Sequence, residues 1–244
     1  MLTFALMFLL FFFGGIIQGC MGFGLAMVVA PPMLLMMPAA VAVPTMAVAG
    51  LLNTGTAAWS LRKHMQANII LPLALGSLAG LPLGIYLLKS LDGPVFKAGV
   101  GALMVGLAAL MLSGWRWQLK YPRRALLPVG FASGFLGGSI SISGPPIVLF
   151  LSNLGVSRDE FRANSLGYFT LHGLMALAGF AISYLLTPEV GWHAAGLIPA
   201  VFLGTQVGLH LATRLGQITF QRITLIAVAL MGFILFVRNL YSLV

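Results

Sequence analysis

The sequence predicts an all-α polytopic membrane protein made of two inverted four-segment repeats, each opening with a broken helix or helical hairpin. Three observations predict it. The 244 residues are 60% hydrophobic and only 7% charged, whereas soluble domains carry about 25% charged residues. Two long apolar stretches are interrupted by glycine and proline where a plain span would be continuous. Landmarks of the first half also recur, in the same order, in the second.

A helix needs about 20 apolar residues to span a bilayer. On that measure the segments run 3–37, 40–61, 67–88, 94–114, 125–154, 163–186, 191–213 and 218–240. The first begins MLTFALMFLLFFF, with no basic flank and no small-residue cleavage site, and so reads as a span rather than a removable signal peptide. Its stretch from Gly14 to Pro32, GGIIQGCMGFGLAMVVAPP, breaks the segment. Glycine costs about 1 kcal/mol against alanine inside a helix, and proline about 3. Non-helical backbone at membrane depth survives only where it is buried in protein or lines a wet cavity. A ligand site at the break is one reading, and glycines that let neighbouring helices pack closely is the other. Both are open at this point.

The second segment carries Asn53, Thr54, Thr56 and Ser60, and the third carries Gly80-x-x-x-Gly84. The most hydrophilic connection, WRWQLKYPRR over 115–124, falls at mid-chain. It divides a first transmembrane repeat, 1–114, from a second, 125–244, as a basic cytoplasmic linker. The fifth segment is broken like the first. The sixth holds Asn164, Ser165, Tyr168 and His172, and the seventh holds Gln206, His210 and Gly204-x-x-x-Gly208.

The repeat follows from the landmarks. Gly15, Gln18, Gly19 and Gly22 match Gly130, Ser133, Gly134 and Gly137 at an offset of 115. Pro31-Pro32 matches Pro145-Pro146 at 114, while Gly80, Gly84 and Phe96 match Gly204, Gly208 and Phe220 at 124. Loop charges set the orientation. If all eight segments cross once, the two sides hold seven and six Lys and Arg, which is no signal. If each broken segment returns to its own side, the counts become ten and three. An even number of crossings in the broken segment leaves an odd number per repeat, so the repeats are inverted and both termini lie outside.

The same reading narrows the chemistry. All four acidic residues, Asp92, Asp159, Glu160 and Glu189, fall in predicted loops. No membrane carboxylate is left to chelate a cation or relay protons, which argues against a cation pump or metal transporter. No nucleophile–base–acid set or metal-ligand cluster supports an enzyme, and no cofactor is expected. The lone Cys20 cannot form an intrachain disulfide. The net charge of +9 comes from Lys and Arg scattered through loops, where they orient the chain rather than bind nucleic acid.

Paired broken helices in inverted repeats place a substrate between the repeats. Arms over 3–18 and 25–37 would be about 24 and 20 Å long. The arm starting near Gly24 and the arm starting near Gly144-Pro145 would point free N–H groups and positive dipole ends at each other. That makes an anion site without a buried lysine or arginine. The candidate substrate-binding residues are Gln18, Gly19, Gly22, Phe23 and Gly24 in the first break, and Gly138, Ser139, Ser141, Ser143 and Gly144 in the second. Asn53, Asn164 and His172 come from the segments that follow the breaks. The serines could instead bond back to their own helix, and the asparagines and histidine could tie helices together. His172 is the best protonatable candidate. Cys20 reads most simply as a small apolar filler.

With both breaks in view, the chain resembles the TauE/SafE family of sulfite and organosulfonate exporters, also called the toluene sulfonate uptake permease family. Gly15-x-x-x-Gly19-x-x-Gly22-Phe23-Gly24 with Pro31 carries the resemblance in the first half. Gly130-Phe131-x-x-Gly134-Phe135-x-x-Gly138, followed by Gly144-Pro145-Pro146, carries it in the second, and Gly204-x-x-x-Gly208 fits as well. The first break reads Gly-Phe-Gly where many relatives have a run of glycines. The resemblance implies movement of small anions, often sulfur oxyanions or organosulfonates, across the bacterial inner membrane. The expectation is therefore a secondary transporter, an exporter, holding a small sulfur-containing anion between two broken helices at the bilayer midplane. An anion channel of the same build and a non-transporting scaffold subunit are the alternatives. The expected partners are a small anionic substrate and the lipid bilayer; a homodimer is compatible with this, and nucleic acid is not a partner.

Overall fold

The structure is a computed structural model that describes residues 2–91, 93–114, 122–211 and 217–241. Most of the expected linker (115–121), Asp92 and Arg214 lie outside the described residues. The described residues form ten α-helices and one short 3-10 turn, Arg62–His64. The helices are α1 Leu2–Met21, α2 Leu25–Met36, α3 Ala39–Ser60, α4 Ala67–Ser90 and α5 Pro94–Leu112. They continue with α6 Pro122–Ile140, α7 Gly144–Ser152, α8 Arg158–Ile182, α9 Pro188–Leu211 and α10 Gln217–Tyr241.

Seven of these helices (α1, α3, α4, α5, α8, α9 and α10) are long and apolar enough to cross a membrane. Helix α6 is not among them and carries Arg123 and Arg124 in its first turn, while α2 and α7 are short. Each broken segment is thus one long helix and one short one. At 1.5 Å per residue, α1 and α2 are about 30 and 18 Å long, and α6 and α7 about 28 and 14 Å. The first arm runs one turn further than expected, to Met21, because Gly19 still packs inside a helix–helix contact there.

Three helix pairs have the most extensive contacts: α4 with α6, α1 with α9, and α5 with α10. Glycine lies in all three, with Gly101 of α5 on the Gly232 carbonyl of α10 in the third. Gly76, Gly80 and Gly84 of α4 lie on the carbonyls of Leu127, Phe131 and Phe135, and Gly130, Gly134 and Gly138 of α6 lie on those of Leu73, Ser77 and Leu81. Gly15 and Gly19 of α1 meet the Val201 and Thr205 carbonyls, and Gly204 and Gly208 of α9 meet those of Phe12 and Ile16. Any Cβ at these positions would strike backbone, which cannot move aside. Such close approach suits a membrane, where helices associate through packing rather than through the hydrophobic effect.

The contacts keep their form when α1–α5 are exchanged with α6–α10 in order. The α1–α9 pair then becomes α6–α4, and α3–α9 becomes α8–α4, while α3–α8 and α5–α10 map onto themselves. Each half of the chain therefore gives one helix to the other half. Helix α8 opens on a capping box between Ser157 and Glu160. Gln66 ties that end to the start of α4, its Nε2 donating to Glu160 Oε1 and its backbone N–H to Asn164 Oδ1.

Candidate functional site

The two breaks reverse the chain by different means. In the first, the Gly22 N–H donates to the Gln18 carbonyl at 2.7 Å. Gly22 and Gly24 then take φ of +83° and +108°, a region L side chains rarely adopt. In the second, the Ser141 N–H donates to the Gly137 carbonyl at 3.0 Å, and Ser141 itself sits at φ +59°. Its hydroxyl donates to the Val43 carbonyl of α3 at 2.9 Å, which pins a residue that is not glycine in this conformation.

The breaks meet. A Cβ on Gly144 would stand 3.4 Å from Phe23 Cδ2. Between them lies a cavity of about 100 Å³. One water needs at least about 10–15 Å³ on the same footing, so an anion of a few atoms fits. Its walls are the first break with the opening turn of α2, the second break from Gly137 to Gly144, α3 over 46–54, and α8 over 169–176. Those stretches are the middle turns of two of the long helices. Among the described residues no Lys, Arg, Asp or Glu lines the cavity; its polar side chains are Gln18, Thr54, Ser141, Ser143 and His172.

Of the residues expected from sequence, Gln18, Phe23, Gly24, Ser141, Ser143, Gly144 and His172 line this cavity. The other six lie outside its walls. Gly19 and Gly138 face helix backbone in the α1–α9 and α4–α6 contacts, and Gly22 turns the chain. The Ser139 hydroxyl donates to the Phe135 carbonyl of its own helix at 2.8 Å. Asn53 Nδ2 donates to Thr205 Oγ1 at 2.9 Å, a tie between α3 and α9. Asn164 is fully buried where α8 meets the start of α4. Cys20 Sγ donates to the Gly208 carbonyl at 3.1 Å within the α1–α9 contact.

The two helix starts at the cavity are unequal. The first turn of α2 is Leu25, Ala26 and Met27, and the first closing bond is from the Val28 N–H to the Gly24 carbonyl, at 3.2 Å. Three N–H groups therefore have no acceptor within the helix. The first turn of α7 is Gly144, Pro145 and Pro146. Proline has no N–H, so this end offers one donor, that of Gly144. Hydroxyls stand nearby instead, on Ser141 and Ser143.

Sequence reasoning named Tyr168 and Ser133 without giving them a place in the wall, and passed over Ser77. Tyr168, buried in α8, donates its hydroxyl to Ser133 Oγ at 2.7 Å. Ser133 in turn donates to the Ser143 carbonyl, so α6 and α8 together brace the break. Ser77 of α4 sits 2.8 Å from Nδ1 of His172. The available signal was position: Ser77 and Ser133 each lie next to a glycine of the α4–α6 stripe, one residue after Gly76 and one before Gly134. Across the cavity, Thr54 is spent on its own helix, donating to the Gly50 and Leu51 carbonyls. Gln18 Oε1 is buried without a hydrogen-bond partner.

Residues 7–235 match the family model described as sulfite exporter TauE/SafE. No curated protein and no solved structure matches the chain.

Proposed function

This chain belongs to the sulfite exporter TauE/SafE family, and on that premise we propose that it is a secondary transporter exporting a small sulfur-containing anion across the bacterial inner membrane. The anion sits between the two breaks, near the bilayer midplane. One observation carries this reading: a cavity walled by both breaks and by the middle turns of α3 and α8, with no Lys, Arg, Asp or Glu among the described residues that line it. The N–H groups of Leu25, Ala26, Met27 and Gly144 serve as donors to an oxyanion, as helix starts do elsewhere. The Ser143 hydroxyl and the Gln18 amide complete the shell.

The two halves are inverted repeats with both termini outside. The exchange of contacts between α1–α5 and α6–α10 supports a two-fold relation. The ten-to-three division of basic residues supports the inverted sense. With Cys20 replaced by alanine, cysteines introduced at 62 and 89 label from opposite faces; labelling from one face refutes the inversion. The substrate class is tested by thermal shift in detergent with sulfite, thiosulfate, sulfoacetate, sulfate and acetate. Sulfur anions raise the melting temperature above its value in chloride. If none does, the substrate assignment fails.

A further inference from the structure

Among the described residues His172 is the one titratable side chain in the cavity wall, and its two ring nitrogens face different surroundings. Nδ1 is engaged with Ser77 Oγ at 2.8 Å. Nε2 lies against Gly137, where a Cβ would collide with it, and has no hydrogen-bond partner among the described residues. The ring is stacked on Tyr168, 5.8 Å between centroids at 16°, and Tyr168 is itself held by Ser133. The side chain is only 6% exposed. It is clamped, with Nε2 against Gly137, and both residues line the cavity.

The walls that face it contribute no other charge. Gln18 on α1, Thr54 on α3, Ser77 on α4, Gly137 on α6 and Ser143 before α7 do not titrate, and Tyr168 lies on the same helix. Lys89 reaches the Ser183 carbonyl at one end of the α4–α8 contact. Glu160 is bound to Gln66 at the other, with Arg62, Lys63 and His64 exposed nearby. An anion entering the cavity therefore meets neutral donors alone. Burying an unpaired charge is expensive, and an opposite charge within about 4 Å offsets much of that cost at low dielectric.

We propose that His172 takes up a proton when the anion binds, so that the cavity loads as a neutral imidazolium–anion pair, with Ser77 as the residue that positions the ring. This rests on the anion site described under Proposed function. With Nδ1–H donating to Ser77 Oγ, Nε2 presents a lone pair to the cavity. One proton from solution adds to Nε2, and the new N–H donates to an oxygen of the anion. No other bond forms or breaks.

Methanesulfonate is the probe, because its own charge does not change between about pH 5 and 9. Binding to the purified full-length protein is measured by calorimetry across pH, in two buffers of different ionisation enthalpy, with sulfite in parallel. The wild type takes up about one proton per anion, and its affinity falls about tenfold per pH unit on the alkaline side. His172→Gln binds with no pH slope. Ser77→Ala moves the fall to lower pH, and Ser77→Thr restores it. If His172→Gln does not fold, the proton count of the wild type decides alone. Flat affinity with no proton uptake overturns the inference, as does a slope retained in His172→Gln. Methanesulfonate that fails to bind overturns it as well. Sulfite binding in the same assay then leaves the transporter reading standing, and its absence removes both.

Discussion

The first break turns on glycine and the second on serine, and the helices they start are equipped in opposite ways. Gly22 and Gly24 reach positive φ at no steric cost, and the helix that follows exposes three backbone donors. Ser141 sits there at φ +59° with its hydroxyl tied to Val43, and the helix that follows loses two donors to proline. Where backbone donors are few, side chains gather: Ser143 and the His172–Ser77 pair stand on the second side. The two halves share a fold device without sharing its chemistry.

That contrast can be broken at either side. The largest effect is expected for Gly24→Val, which forces a β-branched residue to φ +108°. We expect a loss of about 3 kcal/mol in stability and of anion binding, read by thermal unfolding and titration. Gly137→Ala comes next. Its Cβ would occupy the place of His172 Nε2, costing about 2 kcal/mol through overpacking and turning the ring from Ser77. Retention of wild-type stability and binding would show that the ring has room the structure does not display.

Ser141 separates strain from hydrogen bonding. Ser141→Ala loses the bond to Val43 while keeping the strained φ, a cost of about 1 kcal/mol. Ser141→Gly loses the same bond but relieves the backbone, and should cost about half as much. If glycine is the worse of the two, the backbone at 141 stores no strain for glycine to relieve. The smallest effect is expected for Pro145→Ala, which restores a donor at the start of α7. Anion affinity should rise about fivefold, equivalent to about 1 kcal/mol, with little change in stability. Unchanged affinity would mean that the α7 start does not reach the ligand.

Punctuation by glycine and proline made the breaks legible: α2 begins one residue after Gly24, and α7 begins at Gly144. Such signals are local, since φ preference and the missing proline N–H belong to the residue itself. The lopsided donor supply was equally readable from Pro145-Pro146. What each glycine does was not readable, because close approach to a ligand and close approach to a helix ask the same thing of a side chain. Gly19 and Gly138 serve helix contacts while Gly24 and Gly144 line the cavity, although all four sit within glycine-rich motifs of one kind. Nor could one chain show that Ser77 meets His172, 95 positions away. That contact depends on which helix each half gives to the other.

This exchange of helices has a consequence for how the protein is made. The glycine face of α4 has no proper neighbour until α6 has been synthesised, and that of α1 waits for α9. Thr205 closes onto the Gly15 carbonyl across 190 residues of chain. During synthesis the first half therefore sits in the membrane with two grooved faces uncovered, open to lipid or to another nascent chain. Neither half is a self-sufficient folding unit. Residues 1–114 and 122–244 produced as separate polypeptides should each be short-lived in the membrane, and stable only when made together.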